Sequence, residues 1–186
     1  MKTGDCFIMM GSNKEEPMTV YLIEDMTADK LYVLTVCVKK AWIHGWDWPG
    51  EFDNDIPEDA VSVPAETYSY VKRQMSDYCV WAHEYIYSNI IETKLGVEIG
   101  KHYYYRSIDT VTKIEDGKVF YNCFKIDPED ITPYGTGQVR IDFDGFCSIV
   151  PDEVYEEVKS RYQELVSHLQ ECLFATARQD NLAAIQ

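Results

Sequence analysis

Long apolar runs are missing from this 186-residue chain. Nothing approaches the roughly 20 consecutive apolar residues that cross a bilayer. Met1-Lys2-Thr3-Gly4-Asp5 meets charge at once, so no secretory signal is expected. Basic residues are scarce: 17 Lys and Arg stand against 32 Asp and Glu, a net charge of -15. A surface of that sign is repelled by nucleic-acid phosphates and by anionic lipid, which argues against direct binding to either. Catalytic signatures are absent too. There is no Gly-x-Ser-x-Gly, no glycine-rich phosphate loop and no kinase set, and His83-Glu84 is followed by Tyr87 where His-Glu-x-x-His needs its second histidine. Acids are so numerous that no pair can be singled out for acid-base work, and a non-catalytic role is favoured. The six cysteines (Cys6, Cys37, Cys79, Cys123, Cys147 and Cys172) contain no Cys-x-x-Cys. Their wide spacing fits reduced, mostly buried thiols in a cytoplasmic compartment better than a disulfide framework.

What the chain does have is an internal echo. Val63-Pro64-Ala65-Glu66-Thr67-Tyr68 returns as Val150-Pro151-Asp152-Glu153-Val154-Tyr155, an offset of 87. Asp29-Lys30-Leu31-Tyr32-Val33 returns as Gly117-Lys118-Val119-Phe120-Tyr121, an offset of 88, and Gly4-Asp5-Cys6-Phe7 as Gly100-Lys101-His102-Tyr103, an offset of 96. Three anchors in one order indicate a tandem duplication, with copies over residues 1–95 and 96–186. The extra length in the first copy fits the polar stretch Gly11-Ser12-Asn13-Lys14-Glu15-Glu16-Pro17. Acidity is shared evenly, with net charges of -8 and -7 in the two copies.

Each copy reads as strands and then a helix. Phe7 to Met10, Thr19 to Ile23 and Leu31 to Val38 are rich in β-branched and aromatic residues. In the second copy, Val111 to Ile114 and Lys118 to Phe124 flank Asp116-Gly117, a tight-hairpin signal. Gln138 to Phe143 alternates and is expected to turn at Asp144-Gly145 into Phe146 to Ile149. A 3.6 period then begins: Tyr68, Val71, Met75, Tyr78, Cys79, Ala82 and Tyr85 in one copy, Tyr155, Val158, Tyr162, Leu165, Leu169 and Cys172 in the other. Helices of about 25 residues would exceed what one small sheet needs, so they are expected to pack on each other. The fold class is α+β: a tandem of small bent antiparallel sheets or SH3-like β-barrels, each followed by a long amphipathic helix. The opening Gly4-Asp5-Cys6-Phe7 is similar to the start of several bacterial SH3-like barrel families, some of them toxin and immunity proteins. That resemblance covers four residues, and the second copy lacks its Asp and Phe.

The most unusual segment is Trp42-Ile43-His44-Gly45-Trp46-Asp47-Trp48-Pro49-Gly50, continuing into Glu51-Phe52-Asp53-Asn54-Asp55. It holds three of the four tryptophans, and no Lys or Arg occurs between Ala41 and Val71. Its Gly and Pro content predicts a loop. Indole rings beside carboxylates suit capture of a basic protein face. Trp42, His44, Trp46, Asp47, Trp48, Glu51, Asp53 and Asp55 are therefore the candidate partner-binding residues. If folded inward, the same tryptophans would merely close the first core. Tyr103-Tyr104-Tyr105 reads as a two-faced strand, with Tyr104 opposed to its neighbours. Cys79 with His83, and His168 with Cys172, are spaced i, i+4 and could between them offer four zinc ligands. However, the repeat places Val166 opposite Cys79, and both cysteines lie on apolar stripes. Asp53-Asn54-Asp55 fails as a calcium loop because Pro57 occupies a ligand position. No metal and no other cofactor is expected.

The resulting expectation is an acidic binding protein with a protein partner, one form being an immunity or antitoxin-like inhibitor of a basic protein. A second reading is a small-ligand or hydrolytic protein with its site in the cleft between the repeats. A third is self-association, as a homodimer, through the helices.

Overall fold

The computed structural model describes residues 2–9, 18–38, 43–44, 50–53, 59–93, 97–104, 107–126, 135–140 and 147–183. The first six strands are β1 (Cys6–Met9), β2 (Met18–Met26), β3 (Lys30–Val38), β4 (Ile43–His44), β5 (Gly50–Asp53) and β6 (Ala60–Val63), and helix α1 (Glu66–Tyr87) follows. Then come β7 (Ile91–Thr93), β8 (His102–Tyr104), β9 (Ser107–Glu115), β10 (Lys118–Lys125), β11 (Gly135–Arg140), β12 (Cys147–Val150) and helix α2 (Asp152–Ala183). The protein is α+β, with two six-stranded antiparallel sheets and two helices.

Local sequence explains most of these elements. Asp116 and Gly117 have φ of 51° and 70°, and Glu115 pairs with Lys118 across them. That is the doubly left-handed two-residue turn that Asp-Gly favours. Pro64 and Pro151 stand just before the helices, where a missing N–H costs nothing, and their carbonyls accept from Thr67 N–H at 2.9 Å and Val154 N–H at 3.0 Å. Glu66 on one helix, and Asp152 and Glu153 on the other, place acids in the first turn, where the helix dipole favours them.

The first sheet has strand order β4-β3-β2-β1-β6, with β5 also paired to β3, and the second β11-β10-β9-β8-β12-β7. Reading β8 to β12 in place of β1, β2, β3, β4/β5 and β6 gives the same order, and β7 is an addition at one edge. Finer detail repeats as well. In the first sheet the β2–β3 register shifts around Glu24, and in the second the β9–β10 register shifts around Thr112, 88 residues later. Gly4 N–H donates to Ile23 O at 2.8 Å and Ile23 N–H to Asp5 O at 2.9 Å; Gly100 N–H donates to Val111 O at 2.8 Å and Val111 N–H to Lys101 O at 3.1 Å. Both glycines have positive φ, 91° and 84°. On the helices Val71, Met75, Cys79, Ala82 and Ile86 are buried, and so are Val158, Tyr162, Val166, Leu169 and Leu173, each 87 residues on. Each large aliphatic side chain in that stripe contributes about 1.5–3 kcal/mol by leaving water.

Three expectations change. Among the described residues neither sheet closes into a barrel. Closure needs the outermost strands of the order to hydrogen-bond. Here β4 and β5 hold the outer side of β3, while β6 pairs with β1 alone among the described residues. The Trp-rich stretch is not all loop, since its Ile43–His44 and Gly50–Asp53 parts are strands on β3. The buried stripes run through Ile86, Val166 and Leu173, leaving Tyr85, Leu165 and Cys172 half-buried at their margins. The helices have 22 and 32 residues. The Asp144-Gly145 turn lies outside the described residues.

The chain forms two compact units, residues 1–76 with 163–186, and residues 77–162. Each contains one sheet and a portion of both helices. In the first, Phe7, Ile23, Leu31 and Val33 form a core that Met9, Tyr21, Met26 and Ala60 flank, and the Phe7 and Tyr21 rings stack at 4.8 Å. In the second, the buried Tyr78 hydroxyl donates to the Val158 carbonyl at 2.9 Å, and Tyr162 meets both Tyr78 at 5.8 Å and Phe124 at 5.7 Å. Portions of α1 and α2 thus meet through large aromatic side chains.

Candidate binding site

The candidate segment starts from the outer edge of β3. Val38 pairs with Ile43 and Cys37 with His44; further back, Val33 pairs with Gly50, Tyr32 with Glu51, Leu31 with Phe52 and Lys30 with Asp53. Between these paired stretches one side has residues 34–36 and the other has residues 45–49, an excess of two. Among the described residues the corresponding edge of the second sheet shows no such register difference: β11 pairs with β10 residue for residue from Arg140 opposite Lys118 to Gly135 opposite Cys123. The two paired stretches on this edge of the first sheet are therefore two residues out of step, and the sequence between them includes Trp46, Asp47 and Trp48.

His44 stands in β4, and Glu51 and Asp53 in β5. Trp42, Trp46, Asp47, Trp48 and Asp55 lie outside the described residues. The backbone thus gathers three of the eight candidates on one sheet edge. The stretch from Trp42 to Tyr70 holds seven acids and no Lys or Arg.

Several further clusters were legible only in part from sequence. Tyr104 is buried while Tyr103 is half-buried, in keeping with a two-faced strand, and Tyr105 lies outside the described residues. The Tyr104 hydroxyl is 2.7 Å from His83 Nδ1, and the exposed Tyr87 packs its edge on both rings. Trp81 stacks on Tyr85 at 5.3 Å, and the Arg161 guanidinium, held by Glu157 at 2.7 Å, lies 4.1 Å above the Trp81 ring. His102 is buried at 8% exposure, stacks on Tyr155 at 3.9 Å and shares a 2.8 Å hydrogen bond with Thr110. Burial holds its pKa below the usual value, against the opposing pull of Asp152 and Glu156. No sequence signal marks His102, because its partners come from β9 and the first turn of α2.

Among the described residues no group of three or more His, Cys, Asp or Glu side chains is arranged to hold a metal ion. Cys6, Cys79, Cys123 and Cys172 are not joined in disulfides; the side chains of Cys37 and Cys147 lie outside the described residues. No helix among the described residues is long and apolar enough to cross a membrane. In comparisons with known proteins, no family model, no curated protein and no solved structure matches this chain.

Proposed function

We propose that this is a non-catalytic, cytoplasmic binding protein that engages a basic protein partner through the outer edge of β3 in its first sheet and the Trp-rich sequence beside it. The observation that carries this reading is the two-residue register difference between β4 and β5 on β3, with tryptophans in the sequence between and around them and a flanking run of acids, set against the constant register of β11 among the described residues. Indole rings supply apolar contact area, and the net charge of -15 supplies long-range attraction to a cationic face. An immunity or antitoxin-like inhibitor, blocking a cationic active site, is the concrete form this chemistry suits. Cysteines not joined in disulfides accord with a reducing compartment.

The two halves derive from a tandem duplication of a bent antiparallel sheet followed by a helix, copies 1–95 and 96–186. The shared strand order, the register shifts 88 residues apart, the paired glycine turns and the equivalent buried stripes support this. On that reading one copy kept the plain edge and the other specialised. The test is a pull-down from native lysate at low and high salt, comparing wild type with the Trp46→Ala/Trp48→Ala double variant. A captured protein lost both at high salt and in the variant supports the reading. Capture indifferent to both overturns it.

A further inference from the structure

A thiol and an imidazole meet on α2. His168 and Cys172 are one turn apart, with Cys172 Sγ 3.6 Å from His168 Nε2. The Tyr70 hydroxyl of α1 reaches the same nitrogen at 3.4 Å. His168 is exposed and Cys172 half-buried, so small reagents reach the pair. The other described thiols sit differently. Cys6 is buried, and burial pushes its thiol up to about 11. Cys79 is fully buried. Cys123 hydrogen-bonds the Asp109 carboxylate, a neighbour that opposes a second negative charge.

The internal echo sharpens the contrast. Subtracting 87 from His168 and Cys172 gives Trp81 and Tyr85, which stack on each other beneath Arg161. At that position α1 carries an aromatic pair that packs, whereas α2 carries a nucleophile beside a base. Packing alone therefore does not call for a Cys–His pair there.

We propose that Cys172 is a modification site, a nucleophilic thiol with His168 as its base, whose reaction partner is a small disulfide of the glutathione type. In the step, His168 Nε2 takes the thiol proton. The Cys172 thiolate attacks one sulfur of the disulfide, the S–S bond breaks, and the leaving half departs as a thiolate. Cys172 ends in a mixed disulfide, one thiol having been oxidised and one half of the small disulfide reduced. A base within hydrogen-bond reach is the arrangement that activates thiol nucleophiles in general.

The experiment treats the native full-length chain with glutathione disulfide and follows each cysteine by site-resolved mass spectrometry. Cys172 is expected to be the first site modified, and the fast phase disappears in Cys172→Ser. In His168→Ala and His168→Asn, Cys172 reacts about tenfold or more slowly, with thermal midpoints unchanged because His168 is exposed. Imidazole added to His168→Ala restores part of the rate, which a merely structural role of the histidine would not allow. A fast phase located on another cysteine, or equal Cys172 rates in wild type and both His168 variants, overturns the proposal.

Discussion

His102 shows how one residue couples the fold to pH. Its ring is wedged between Tyr155 and Thr110. Burial disfavours its charged form, Lys101 and Lys159 add to that effect, and Asp152 and Glu156 oppose it. A depressed native pKa means that the unfolded chain takes up a proton before the folded one does. The His102 contribution is therefore complete above its ordinary value, near 6.5, and is lost as pH falls from there through the depressed native value. Thermal midpoints across that range should decline on the acid side in wild type and decline less in His102→Gln. Equal profiles would show that other groups set the acid limb. Nothing in the sequence marked His102, whereas the His168–Cys172 spacing was visible there. Tyr70, 98 residues from His168, was not. Side-chain neighbours supplied by a distant element leave no local pattern.

At the scale of elements, the two glycine turns offer the cleanest comparison. Gly4 and Gly100 both lie at positive φ, and a methyl group added at either Cα would meet nothing within 4 Å. The cost of Gly4→Ala or Gly100→Ala is then conformational rather than steric, about 1–2 kcal/mol in each case. For a chain of this length each kcal/mol lowers the midpoint by roughly 2–4 °C. The two variants should match within error, because the same hydrogen-bond pattern surrounds both sites. A large difference in calorimetric midpoints would contradict the equivalence of the turns. Strands and helices were largely legible in advance, since period-2 and period-3.6 patterning and the Asp116-Gly117 turn are local signals. Short β4 and β5 escaped because Gly45, Pro49 and Gly50 argue for a loop, while pairing with β3 overrides that preference for the flanking residues.

For the molecule as a whole, the relevant fact is how the compact units draw on the chain. Residues 1–76 form one compact unit together with 163–186, and the second unit includes 77–87 of α1. Neither sequence half, 1–95 or 96–186, contains a complete unit. Expressed alone, each fragment should lack a cooperative thermal transition, and mixing the two should restore one, followed by far-UV circular dichroism. A fragment that melts cooperatively by itself would show that one half suffices. Buried apolar surface provides the reason, because each fragment would leave much of its helical stripe in water.

The sequence by itself determined the internal echo, the order of strands and helix in each half, the tight turn at Asp116-Gly117 and the acidic character of the surface. These depend on residue type and near-neighbour spacing. Tertiary structure alone decided that the sheets stay open, that β4 and β5 both fall on β3, and that Tyr70 meets His168. Each of those depends on which hydrogen-bonding edges and side chains from distant parts of the chain come together, and periodicity along the chain carries no record of that choice.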